Sequence, residues 1–197
     1  VFNFLSGQSI HHKTDVLVYG ATPSGIMAAI TVKKAGHSVM LVEPSRWVGG
    51  ILGAGLKPVQ DMPNYEAVGG TTRKLMLTLG VRTDKDSLTI EEVLRLSRDK
   101  VTPENIREDF LKLLQTYGIP VIYDHRISRT LKTGNKIEGV YFDLAPFDNL
   151  GCPVGEAKVH DNLRIESRIF IDASYDGELM ARSGVSNRIG RESVVDY

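Results

Sequence analysis

The chain has 197 residues, 42% of them hydrophobic and 24% charged, with 24 Lys and Arg balanced by 24 Asp and Glu. That is the make-up of one globular domain able to bury roughly 70% of its unfolded surface; it is not that of a disordered chain, and it lacks the basic footprint that nucleic acid or an anionic membrane selects. No apolar run nears the ~18 residues of a membrane-spanning helix, and the single cysteine, Cys152, allows neither an internal disulfide nor a cysteine-built zinc site.

Val1 to Lys13 has neither a charged leader before a long apolar stretch nor a small-residue cleavage pattern. It reads as a terminal extension without a targeting signal, which leaves the compartment open with the cytoplasm favoured. Asp15 to Tyr19 is a β-branched and aromatic run that stops at Gly20, and Ile26 to Ala35 is small and apolar on nearly every side before Gly36. Ser38 to Val42 is a second apolar run, ending at Glu43. Strand, buried helix and strand within about 30 residues make a βαβ unit, whose strands lie parallel with a right-handed crossover.

Pro44 to Gly80 reads as a long glycine-rich loop region until helical spacing returns at Thr71 to Leu79. Leu88 to Ser97 has helical spacing, and Thr102-Pro103-Glu104 reads as an N-cap, a proline at the first helical position and a first-turn acid. Ile106, Phe110, Leu114 and Tyr117 then share one helical face before Gly118. Pro120 to Asp124, Ile127 to Leu131, Ile137 to Asp143 and Leu163 to Ile171 read as strands, with a turn at Thr133-Gly134-Asn135. The stretch from about 120 to 165 is thus an antiparallel β insertion that leads back to a parallel sheet. The fold class is α/β, Rossmann-like, in one domain over 1–197.

Gly20-Ala21-Thr22-Pro23-Ser24-Gly25 keeps the spacing of a GxGxxG loop with threonine at the second glycine position. Gly20 allows the tight turn out of the strand, Gly25 and Ala29 keep one helix face small, and a pyrophosphate fits on the amides at the helix N-terminus. The Thr22 hydroxyl is a further donor to a phosphate; taken alone, the string is equally a structural turn. Glu43, 23 residues after Gly20, stands where a carboxylate accepts both hydroxyls of an adenosine ribose, and its charge disfavours a 2′-phosphate. These residues leave flavin and nicotinamide dinucleotides both open.

Three segments resemble the glutathione-reductase-type flavoproteins with two dinucleotide-binding domains, and within them a bacterial subgroup of FAD-dependent oxidoreductases. They are Asp15 to Glu43 with its GxTxxG form; Arg46-Trp47-Val48-Gly49-Gly50-Ile51 at the place of the flavoprotein double-glycine motif; and Arg168 to Leu179 with Asp172-Ala173-Ser174-Tyr175-Asp176-Gly177, continued by Ile189-Gly190-Arg191-Glu192. The resemblance implies FAD as cofactor. Its implied cofactor-binding residues are Gly20, Thr22, Pro23, Ser24, Gly25, Glu43, Pro44, Gly49, Gly50, Arg126, Ile127, Ala173 and Ser174, with adenine met by backbone groups at Arg126 or Ile127. Because family members are longer, it also implies an N-terminal part of a flavoprotein, lacking the C-terminal Gly-Asp strand and the substrate domain.

The expected function is therefore the FAD-binding part of a flavin-dependent oxidoreductase acting on an unassigned small molecule. A noncatalytic adenine-dinucleotide-binding module and an NAD-dependent dehydrogenase domain are the alternatives. No catalytic residue is assigned. His11, His12, His37, His125 and His160 lack metal-ligand spacing, Ser24 is not in GxSxG, and Cys152 has no CxxC partner. Arg191 reads as a salt-bridge partner before a contact to a phosphate or the flavin, and apolar surface at Val194-Val195 is expected to lead to self-association as a homo-oligomer or to marginal stability.

Overall fold

A computed structural model describes residues 9–55, 64–85, 88–96, 100–150, 152–188 and 190. Ile189, Arg191 and Val194-Val195 lie outside these described residues. The strands are β1 (Ile10–Tyr19), β2 (Val39–Val42), β3 (Val121–Ile122), β4 (His125–Thr133), β5 (Lys136–Leu144) and β6 (Val159–Asp172), and the helices are α1 (Pro23–Lys34), α2 (Gly50–Gly53), α3 (Gly70–Thr78), α4 (Ile90–Arg95), α5 (Pro103–Thr116) and α6 (Glu178–Arg182).

The strands form one sheet in the order β3-β2-β1-β6-β5-β4. β3, β2, β1 and β6 are parallel, while β5 is antiparallel to both β6 and β4. The 14-residue β6 joins the two halves. Its Val159 to Glu166 stretch pairs with β5, and from Leu163 to Asp172 it pairs in register with Ile10 to Tyr19 of β1. The antiparallel part is therefore a continuation of the parallel sheet.

β1 begins inside the segment expected to be an extension. Ile10 to Lys13 pair with Leu163 to Glu166 through the backbone, and their side chains are mostly exposed, so no apolar alternation marks them. α1 starts three residues before its apolar run because Thr22 caps it and Pro23 occupies the first turn. α5 has the expected Thr102 cap, with Ile106, Phe110 and Leu114 buried. Of the expected strand at 120–124, two residues pair.

Alternation along β1 divides the core between the two faces of the sheet. Val16 and Val18 pack with Ile26, Ala29 and Ile30 of α1 and Ile106, Phe110 and Leu114 of α5. Leu17 and Tyr19 pack on the other face with Ile127, Val140, Phe142, Leu163, Ile165 and Leu179. Fully burying each of the large side chains stabilises the fold by about 1.5–3 kcal/mol. The two apolar layers fix β1 between β2 and β6 and bring the segments after those three strands to one edge.

Candidate functional site

At that edge the chain is drawn together by short hydrogen bonds. Gly20 follows β1 at φ 98° and donates to Val42 O at 2.8 Å, and Ala173 N donates to Tyr19 O at 2.8 Å. A Cβ on Gly20 would lie 2.8 Å from Ala173 O, and one on Gly25 would overlap Gly20 O. Gly25 is thus required for α1 to lie against the turn.

Thr22 is buried at the α1 N-cap. Its Oγ1 accepts from Gly25 N at 3.2 Å and donates to Ala173 O at 2.9 Å. In this arrangement the hydroxyl proton points to Ala173 O, so the side chain braces the loop against the end of β6. The inward turn also explains why threonine replaces glycine here, since the side chain is taken up by the protein. Pro23 has no N–H and Gly25 N is bonded to Thr22, so the entrance of α1 keeps the amide and exposed hydroxyl of Ser24, the hydroxyl 3.0 Å from Thr22 Oγ1.

Glu43 is buried, with Oε2 accepting from Ala21 N at 2.6 Å and Oε1 from Ser45 N at 2.8 Å. Each oxygen keeps further acceptor capacity. Pro44, between the two, is half-buried. Gly49, at φ 93°, donates to Ala21 O at 2.8 Å, which ties the double-glycine turn to the first loop. A Cβ on Gly49 would come within 2.7 Å of the Phe110 ring, and one on Gly50 would overlap the Tyr175 hydroxyl. That hydroxyl accepts from Ile51 N at 2.8 Å.

After β6, Asp172 and Ser174 brace the entry to α6. Asp172 accepts from Ser174 Oγ at 2.6 Å and Met180 N at 2.9 Å, and Ser174 Oγ accepts from Glu178 N at 3.0 Å. The Ser174 side chain therefore holds the first amide of α6, and Ala173 reaches the first loop through its backbone. Tyr19, fully buried, donates to Glu178 Oε2; burial first, and this carboxylate second, push the phenol well above its usual range.

Arg126 and Ile127 are set apart on β4. The Arg126 guanidinium donates to Val154 O at 3.0 Å and Gly155 O at 3.2 Å, and the Ile127 side chain is buried in the core. Their link to the edge is the backbone before them, where Asp124 N donates to Ser45 O at 3.1 Å and His125 N to Glu43 O at 3.3 Å. The His125 ring is held from both sides, Nδ1–H donating to Tyr123 O at 2.6 Å and Nε2 accepting from Asn162 at 2.9 Å. A cavity of about 360 Å³ opens beside these residues, with Asp143, Glu178 and Arg182 on its walls.

The structure thus joins Gly20 to Gly25, Glu43, Gly49, Gly50, Ala173 and Ser174 by direct contacts and leaves Arg126 and Ile127 at one remove. Sequence reasoning missed two participants. Tyr175 lies in the Asp-Ala-Ser-Tyr segment, yet nothing local shows that it meets Ile51 across 124 positions. Asp124, at φ 57° with Oδ1 buried and unpaired, signals strain that only tertiary structure reveals.

Residues 15–197 match the model of the family described as FAD dependent oxidoreductase. The chain belongs to that family. Among solved structures it is similar to L-proline dehydrogenase from P. horikoshii (TM-score 0.55, 14% identity, covering 92% of this chain and 58% of that one). It is also similar to a geranylgeranyl bacteriochlorophyll reductase-like protein from Thermoplasma acidophilum (0.51, 16%, 88% and 42%) and to P. aeruginosa PqsL in complex with 2-aminobenzoylacetate (0.50, 17%, 92% and 48%). These likenesses show a shared fold, and the chain spans between 42% and 58% of those structures. No curated protein matches it. The family's cofactor is FAD, and the two-sided α/β sheet is that of a Rossmann-like FAD-binding fold. Among the described residues no helix is long and apolar enough to cross a membrane.

Proposed function

We propose that this chain holds the ADP half of FAD along the ends of β2, β1 and β6, as the cofactor-binding part of a flavin-dependent oxidoreductase acting on a small molecule. The observation that carries this reading is the Glu43 carboxylate, buried at the end of β2 and fixed by Ala21 N and Ser45 N directly beside the capped entrance of α1. A fixed carboxylate with spare acceptor capacity suits the two hydroxyls of an adenosine ribose.

The residues fit the group in a particular way. The space beside each of Gly20, Gly25, Gly49 and Gly50 is filled by protein, so these glycines allow the loops to close on one another. Binding then falls to the Ser24 amide at the positive end of a 12-residue helix, where an anion is stabilised, and to Glu43 on the ribose. Pro44 and the backbone at Gly49 and Gly50 border the same edge, and the backbone near Arg126 and Ile127 borders the adenine side. Bound FAD supplies the redox chemistry at its ring, while the protein binds and orients it.

The test is purification of the full-length protein, followed by its visible spectrum and a competition titration with ADP. Flavin absorbance, with ADP displacing FAD, is the expected result. A colourless protein that binds NADH and ignores FAD overturns the reading.

A further inference from the structure

Tyr175 combines features that a surface aromatic does not need. The residue is 59% exposed, yet its hydroxyl is held by the Ile51 amide at 2.8 Å. Gly50 leaves room for that hydroxyl by having no side chain. Ile51 is itself 49% exposed, so both residues of this backbone-to-hydroxyl bond are uncovered. Scattered exposed apolar groups are ordinary, but an exposed ring fixed in one orientation is a prepared flat surface.

Its position follows from the strand order. β2, β1 and β6 are parallel neighbours, with Glu43 after β2, Gly20 after β1, and Ala173 to Tyr175 after β6. A dinucleotide whose ribose lies at Glu43 and whose phosphates lie at Gly20 and Ser24 continues in that direction to Tyr175. On these grounds, and resting on the cofactor reading above, we infer that Tyr175 is the contact that makes the site select FAD over ADP. Its ring packs on the cofactor beyond the phosphates, and its hydroxyl holds the double-glycine turn in the shape that receives it.

The experiment titrates FAD and ADP separately into the full-length wild-type protein, freed of bound cofactor, and into Tyr175→Phe and Tyr175→Ser. Losing the ring in Tyr175→Ser should weaken FAD by about tenfold, the scale of one aromatic contact, and leave ADP within about twofold of wild type. Tyr175→Phe keeps the ring and should lose less. Equal weakening of both ligands overturns the proposal by assigning the residue a purely structural role. An unchanged FAD-to-ADP ratio in Tyr175→Ser also overturns it, while leaving the cofactor reading in place. Wild-type protein that binds neither ligand overturns the cofactor reading and this inference with it.

Discussion

In the turn after β1 the atoms that exclude a side chain are backbone, Gly20 O for Gly25 and Ala173 O for Gly20, whereas in the turn before α2 they are side chains, the Phe110 ring for Gly49 and the Tyr175 hydroxyl for Gly50. A backbone neighbour belongs to the sheet and cannot be trimmed. A side-chain neighbour can. The first turn is therefore crowded by the fold itself, and in the second the crowding, though not the strain of its positive φ, is relieved by substitution elsewhere.

The sharpest way to break this distinction is Gly25→Val. Its side chain has to displace either the Gly20 carbonyl or α1, and the loss is expected to exceed about 3 kcal/mol in urea unfolding. A loss under about 1 kcal/mol would show that the first turn yields as readily as the second. Next in size is Glu43→Gln, which sets an amide NH₂ against Ala21 N or Ser45 N. It should cost about 2 kcal/mol of stability even without cofactor, because a charge-assisted bond is lost and a buried amide is left unpaired.

Thr22→Val removes the acceptor for Gly25 N and the donor to Ala173 O, for an expected loss of about 1–2 kcal/mol by thermal denaturation. Thr22→Ser should retain most of that stability. The second turn is probed by a double-mutant cycle, in which Gly49→Ala costs less when Phe110 is already Leu, with a coupling of about 1 kcal/mol. Zero coupling would mean that the positive φ of Gly49, and not the ring, sets its cost.

The smallest effect lies midway along β1, level with the start of β2, where Asp15 accepts from Ser38 Oγ at 2.6 Å and Ser38 N at 2.9 Å. These bonds, the side-chain one foremost, hold the Asp15 carboxyl below its usual range. A depressed carboxylate stabilises the fold above the unfolded-state pKa, and that contribution is lost as pH falls through the lower folded value. Asp15→Asn should accordingly melt slightly below wild type at neutral pH and converge with it in acid. A gap that persists unchanged in acid would contradict this.

What the sequence discloses here is local. Thr102-Pro103 marks the start of α5, Gly20 marks the end of β1, and the Glu43 spacing marks the end of β2, because each depends on near neighbours in the chain. The hydrogen bonds of Thr22 and Ser174 stay hidden in the sequence for the converse reason. Their hydroxyls look ready for a ligand until Ala173, 151 residues away, and the α6 amides take them. Ile10 to Lys13 escaped notice as strand because backbone pairing with β6 leaves no mark on side-chain type. Tyr175 escaped because its partner is a backbone amide on a distant segment.

The proposed site depends above all on Glu43 facing an unphosphorylated adenosine ribose. Substituting Glu43 confounds binding with the loop it braces, so the cleanest test changes the ligand and leaves the protein intact. Calorimetric titration of ADP and of 2′-phospho-ADP into the cofactor-free protein serves this purpose. ADP should bind about a hundredfold more tightly, since the 2′-phosphate replaces the 2′-hydroxyl bond and meets a fixed carboxylate. Equal affinities, or a preference for the 2′-phosphate, would contradict the placement of the ribose at Glu43.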